Sequence, residues 1–283
     1  MISRAAKEHI FAAATRAALG LSVCILAFLL GAIIVRGAQA ISLDFLFMPS
    51  RDFGSRGGIS YQIFGSLLIV LTAGLIAAPL ALGASVYRSE YIKNTAAQRL
   101  FDLALYGLNG VPSIIFGLFG LILFVNIFGT GLSWFVGAVI LAIMMLPTAC
   151  MATISAMRGI DTPYRENAYA LGLTREQTAL RIIIPQSLHG LVTGLLIGLA
   201  RAIGETAPIM FIATAFSGAG VPSSLAEPVA TLPTHILALA QQAADPAALQ
   251  NAWGASFTLI ALVAMFSLAA FFARARLLPL SQR

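Results

Sequence analysis

Charge is what this sequence has least of. Asp, Glu, Lys and Arg make up 10% of its 283 residues, against about 25% in an average soluble domain. No soluble fold covers that much apolar surface, so the class that remains is a polytopic membrane protein. Cysteine is nearly absent: Cys24 and Cys150 both fall in apolar runs. That excludes a disulfide framework and leaves no metal-ligand spacing. The three histidines, His9, His189 and His235, each lack a second ligand at helical spacing, so no metal site is expected. Lysine is equally scarce, and neither Lys7 nor Lys93 follows a glycine. Without a Gly-Lys-Ser/Thr phosphate loop the chain is not itself a Walker-type ATPase. No nucleophile–base pair on any loop supports a membrane enzyme.

What is present is long uncharged sequence. Hydrophobic residues reach 59% and the mean hydropathy is +0.91. A crossing needs about 20 mostly apolar residues, and the uncharged windows predict six. Residues 17–35 form the first and 63–86 the second. The uncharged window 103–157 holds two, with NIFGTGLSW (126–134) as the glycine-rich turn between them. The fifth runs over about 188–215 and the sixth begins near Asn251 in the window 246–273. The expected fold class is therefore all-α, with residues 17–275 as one transmembrane domain.

Thirteen Lys and Arg residues fall on one side of these spans and three, Arg36, Arg51 and Arg56, on the other. The positive-inside rule then puts both terminal segments, 1–16 and 276–283, in the cytoplasm. The same rule accounts for the net charge of +6 without nucleic acid as a partner. Ala38-Gln39-Ala40 fits a signal-peptidase site. The preceding apolar run of about 19 residues is longer than the 7–15 of a signal segment, so an uncleaved anchor is expected. Two loops, 37–60 and 217–250, are expected outside. Within the second, THILALAQQAADPAALQ (234–250) suits a short helix, either resting at the membrane surface or buried structurally.

The loop 158–187, on the cytoplasmic side, carries more pattern. Thr162-Pro163-Tyr164-Arg165-Glu166 reads as a helix start, with proline in first position and acid in the first turn. Ala168, Tyr169 and Leu171 give it an apolar side before Gly172 interrupts. Thr174 and Gln177 have capping-box spacing for a second helix, with Leu180, Ile183 and Ile184 on one face and Pro185 ending it. Such an exposed amphipathic hairpin docks on lipid headgroups or on a cytoplasmic partner.

These residues resemble the EAA loop of ABC importer permeases. That pattern is Glu-Ala-Ala, three residues, Gly, nine residues, Ile, any residue, Leu, Pro. Here Glu166, Ala168, Gly172, Ile182 and Pro185 fall in register, while Asn167 and Ile184 replace an Ala and the Leu. The resemblance implies a coupling helix, Arg165 and Glu166 included, inserted in a groove of a separate ATPase subunit. A glycine at the contact point suits close backbone approach.

Arg201-Ala-Ile-Gly-Glu-Thr-Ala-Pro208 lies in the fifth uncharged stretch. A lone charge at mid-bilayer costs about 2.5–3.5 kcal/mol on translocon scales, so Arg201 and Glu205, four apart, are expected to share a helix face and partly neutralise each other. The segment resembles the permeases of phosphate-specific ABC importers, and Gly110-Val-Pro-Ser113, Tyr169-Ala-Leu-Gly172 and Asn251-Ala-Trp253 resemble their PstA type. The resemblance covers about residues 60–275. It implies a type I importer fold and phosphate passage involving Arg201 and Glu205. The partners it implies are a PstC-type permease, two PstB-type ATPase subunits and a PstS-type binding protein. ATP and Mg would belong to the ATPase, with no cofactor on this chain. A guanidinium is a planar donor fork suited to phosphate oxygens. Gly204 and Pro208 are expected to loosen the helix as a pivot. Asn109, Ser113, Asn126 and Thr148 read as helix–helix hydrogen bonders. The competing readings are a permease for molybdate or sulfate, and a stand-alone anion carrier that has no need of the 158–186 loop.

Overall fold

The structure, a computed structural model, describes residues 4–215, 220–242 and 244–277. Parts of the expected terminal segments, and residues 216–219 and 243 of the second external loop, lie outside the described residues. Apolar runs become helices because lipid offers no partner for backbone N–H and C=O groups. The elements in chain order are α1 (Arg4–Ala38), α2 (Leu43–Phe47), a two-stranded hairpin β1 (Ser50–Arg51) and β2 (Arg56–Gly57), and α3 (Ser60–Val86). A π-helical turn, Tyr87–Tyr91, prolongs α3. Then come α4 (Thr95–Gly110), α5 (Ser113–Gly120) with a π-helical extension Leu121–Ile127, α6 (Trp134–Arg158), α7 (Thr162–Ala170), α8 (Arg175–Thr178) and α9 (Ile184–Ala202). The chain closes with α10 (Ala207–Ile212), α11 (Leu232–Gln241) and α12 (Pro246–Leu277).

Five described helices are long and apolar enough to cross a membrane, and the pair Thr95–Gly110 and Ser113–Ile127 makes a sixth if counted as one crossing. That third span departs from the expected simple helix: its halves meet at 91°. Pro112 removes an N–H and pushes Val111 out of the helical region, and both residues are extended (ψ 128° and 135°).

The core is α3, α6 and α9. Gly190, Gly194 and Gly198, at four-residue steps, form a stripe along α9 that lies on Ala156, Ala152, Ala149 and Met145 of α6. A Cβ on Gly194 would stand 2.8 Å from that of Ala152. In lipid, where apolar burial gives no net drive, such close approach supplies the van der Waals contact that holds helices together. Ile69, Ala73 and Ala77 of α3 and Ile140 and Leu141 of α6 are fully buried beside it.

Three more expectations are corrected. Pro185 opens α9 instead of ending a helix. Residues 175–202 run as one helix, because a π turn over Ala179–Ile183, closed by Ile184 N–H to Ala179 C=O, absorbs the proline. The helix carrying the Arg-Glu motif stops at Ala202, not near 215. The last helix starts at Pro246, earlier than Asn251. Of the two readings of the 234–250 stretch, the buried one holds: Leu232, Thr234, His235 and Leu239 of α11 are buried. Asn251 Nδ2 donates to the carbonyls of Gly54 and Ser55 (3.0 Å each), tying the first loop to α12. α1 stands apart, touching α12 through Gly37 against Phe257 and Arg36 stacked 5.1 Å over the Trp253 ring.

Candidate functional site

The Arg201–Glu205 pair sits at a break between helices. Gly204 N–H and Glu205 N–H bond back three residues, to Arg201 and Ala202 carbonyls (3.1 Å each), tightening the last turn and ending it. Pro208, lacking an N–H, cannot carry the ladder across, and it sits instead in the first turn of α10, where no such bond is needed. The two side chains therefore do not lie on one helix face as expected, yet they meet: Arg201 Nε is 3.5 Å from Glu205 Oε1. Their side chains are 45% and 14% exposed, so the acid is held inside and the base turns out. A small cleft of about 10 Å³, bordered by Leu141, Met145, Thr148 and Gly198, adjoins the pair.

A third residue completes this site. Arg201 Nη1 donates to Asn109 Oδ1 at 3.1 Å. Reading Asn109 as a helix–helix hydrogen bonder is right in kind, but sequence gave no sign of its partner, 92 positions away. Among the described residues Asn109 and Glu205 are the partners of Arg201, which leaves most of its five N–H donors unused. Gly204 falls inside the break and Pro208 is packed behind it, against Gly117 of α5.

On the same face of α9, His189, Thr193 and Ile197 precede Arg201 at four-residue steps. They line a cavity of about 600 Å³ with Ser155, Tyr164 and Arg274. His189 Nδ1 donates to Gln186 C=O (2.9 Å), so the Nε2 side of the ring has no partner among the described residues.

The cavity reaches the 158–187 hairpin, whose two helices form as expected. Gly172, at φ +80°, closes α7 in a left-handed turn: Gly172 N–H bonds Tyr169 C=O and Leu173 N–H bonds Ala168 C=O. Space around a Cβ at Gly172 is open within this chain, so backbone conformation is what requires glycine here. Thr174 and Gln177 make the reciprocal capping box. Proline opens α7, but Glu166 falls beyond its first turn. The expected apolar faces are split: Ala168 and Ile183 are buried while Leu171 and Leu180 are 82% and 66% exposed. Ile182 is half-buried, and Glu166 and Pro185 are exposed.

Arg165 points inward. It donates to the carbonyls of Ile160 (2.8 Å) and Met157 (2.9 Å) and pairs with Glu90 (3.2 Å). A second cluster lies beside it. Arg88 makes a two-pronged contact with Asp102 (2.9 and 2.8 Å) and Arg158 reaches the same carboxylate (3.1 Å). A buried guanidinium and a half-buried carboxylate in this fork geometry form a strong, orienting contact. Nothing in the apolar patterning announces either cluster; both join residues far apart in sequence.

The broken third and fifth helices, the glycine-packed core and the capped hairpin between α6 and α9 define a class, the transmembrane subunit of an ABC importer. The chain belongs to the family described as "Binding-protein-dependent transport system inner membrane component", which matches residues 70–280. It is 33% identical over 216 residues to phosphate transport system permease protein PstA 1 of Mycobacterium tuberculosis (strain CDC 1551 / Oshkosh), covering 76% of this chain and 69% of that one. Phosphate transport system permease protein PstA of Xylella fastidiosa (strain 9a5c) is 31% identical over 240 residues, 84% of this chain and 82% of the relative. The fold is shared with a bacterial alginate ABC transporter solved with its alginate-pentasaccharide-bound periplasmic protein (TM-score 0.66, 16% identity, 96% of each chain). It is the fold of type I importer permeases.

Proposed function

We propose that this chain is the non-catalytic permease subunit of an ATP-driven importer that moves inorganic phosphate across the bacterial cytoplasmic membrane. The observation that carries the reading is Arg201. It is a guanidinium held at a helix break by one carboxylate and one amide, with N–H donors to spare for an oxyanion. Relatives named for phosphate transport share the family and support that choice of anion. Glu205 keeps the local charge low enough that a bound anion also leaves, as conduction demands. From Arg201 the His189–Thr193–Ile197 face of α9 offers a route toward the hairpin end, which the positive-inside count places in the cytoplasm.

One such subunit does not enclose a pathway. A PstC-type permease faces it, two PstB-type ATPases carry ATP and Mg, and a PstS-type protein delivers phosphate from outside. The hairpin, through Glu166, Leu171 and their neighbours, seats on an ATPase subunit. ATP binding closes the ATPase pair, the hairpins move, the pathway opens outward and hydrolysis resets it.

Uptake of radiolabelled phosphate, sulfate and molybdate into vesicles holding the whole complex tests this. Phosphate should be the preferred ion, dependent on ATP, and Arg201→Ala should abolish uptake while the complex still assembles. Preference for molybdate or sulfate would move the substrate elsewhere. Uptake by this chain without any ATPase would make it a stand-alone carrier.

A further inference from the structure

Arg201 is held by a helix lightly packed on the rest of the chain, through Leu105 and Phe101 against α6. α4 buries a single side chain, Leu105. Two residues of one face, seven positions apart, tie it down. Asp102 binds Arg88, in the turn beyond α3, and Arg158, the last residue of α6. Asn109 binds Arg201. Four residues after Arg158 the hairpin begins, and its Arg165 bonds back to Met157, Ile160 and Glu90. The hairpin, the Asp102 cluster and the guanidinium are thus joined by polar contacts at each junction and by the backbone of α6 and α4 between them.

The next helix is fixed where α4 is loose. A Cβ on Gly117 of α5 would stand 2.8 Å from Pro208 Cα, and one on Gly120 would stand 3.0 Å from Ile140. α5 is therefore packed against α10 and α6. Between the loose helix and the fixed one lie Val111 and Pro112, both extended, at the 91° corner. Such a corner is where a rigid helix turns about a few backbone dihedrals. Gly107 and Gly110 of α4 have open space around them, so a swing meets no backbone there.

We propose that α4 is a lever that withholds and presents Arg201. In this state Asn109 and Glu205 hold the guanidinium. Movement of the hairpin, carried through Arg158 and Asp102, turns α4 about Val111–Pro112 and takes the amide away, freeing Nη1 for the oxyanion. Asn109 is thus a positioning residue. A neutral amide suits the task, because its bond to the guanidinium is weaker than the charge-assisted bond an oxyanion offers in exchange. This rests on Arg201 being the anion's contact.

The test measures inorganic phosphate uptake and ATP hydrolysis together, in vesicles holding the complete complex with phosphate-loaded binding protein. Asn109→Asp locks the guanidinium, so phosphate moved per ATP should fall about tenfold, the step expected when a charge-assisted bond replaces a neutral one. Asn109→Ala leaves Arg201 unregulated, and phosphate per ATP should fall while hydrolysis without phosphate rises. Asp102→Asn cuts the drive and leaves the amide on the guanidinium, so phosphate per ATP should fall with no rise in hydrolysis without phosphate; adding Asn109→Ala should convert it to the Asn109→Ala phenotype, and Asp102→Glu should restore the ratio. Wild-type ratios in both Asn109 variants, in complexes that assemble, overturn the lever. So do Asp102 and Asn109 losses that multiply as independent sites. If Asp102→Asn does not assemble, the two Asn109 variants decide alone. Absence of phosphate uptake by the unmodified complex, or its persistence in Arg201→Ala, overturns the anion reading instead.

Discussion

His235 illustrates how much a single buried residue sets. Its ring is 5% exposed, lies against Gly54 and takes a 3.4 Å contact from Gln62 Nε2 at Nδ1. Burial pushes its pKa from 6.5 down to about 4. The folded chain keeps the ring neutral where the unfolded chain protonates it, and protonated Nδ1 would face the Gln62 amide donor-to-donor. Stability is thus complete above about pH 6.5 and is lost as the pH falls from there toward 4, by about 3 kcal/mol in all. Thermal midpoints of the detergent-solubilised protein between about pH 7.5 and pH 4.5 should show this slope. His235→Gln should flatten it, and an unchanged slope would place the titrating group elsewhere. Arg201 contrasts with this residue: it is half exposed, and its two partners leave most of its N–H donors unused.

The α9–α6 contact decides whether the elements assemble. Gly190 and Gly194 of its stripe tolerate no added side chain, since the atoms a new Cβ meets at Gly194 include the Ala149 backbone at 2.9 Å. Gly194→Leu should therefore displace α9, at a cost of roughly 1–3 kcal/mol or more, and sharply lower the yield of folded protein by size-exclusion chromatography. Gly83→Leu, on α3 with open space around it, is the control and should leave the yield intact. Elements of this kind were largely legible. Uncharged windows located the helices because hydropathy depends on composition alone, and the hairpin followed because Thr174, Gln177 and Gly172 act on their own neighbours. The breaks were legible only in part: Gly204 and Pro208 marked where the fifth helix loosens, but hydropathy does not register where a backbone ladder ends. The 91° corner hid behind Pro112, which reads like any membrane proline, since Pro79 and Pro147 stay inside helices. Asn109, Arg165 and the Asp102 cluster were invisible as partners because tertiary packing alone brings them together.

At the scale of the whole molecule, most polar contacts are divided between two ends joined by a largely apolar middle that carries the Arg201 site. One end holds α11, β1–β2 and the loop whose Ser224 and Leu225 carbonyls accept from Trp134 Nε1 and Ser133 Oγ. The other holds the hairpin and both arginine clusters. The count of basic residues leads to the expectation that the hairpin end faces the cytoplasm, and orientation and partner are testable with one probe. Leu171, at the hairpin tip, is 82% exposed, an unusual position for a leucine that meets nothing. In a background of Cys24→Ser and Cys150→Ala, Leu171→Cys should react with a membrane-impermeant thiol reagent only after the cytoplasmic side is opened. Val221→Cys, in the loop at the opposite end and 59% exposed, should react in intact cells. Adding the ATPase subunit should then protect Leu171→Cys and leave Val221→Cys labelled. Labelling of Leu171→Cys from outside would invert the topology and with it the direction of transport. Unchanged labelling in the full complex would remove the hairpin from the ATPase interface. Protection that changes between nucleotide-free and ATP-bound complexes would mark the hairpin as the part that moves, because burial against a partner is read directly as loss of reactivity.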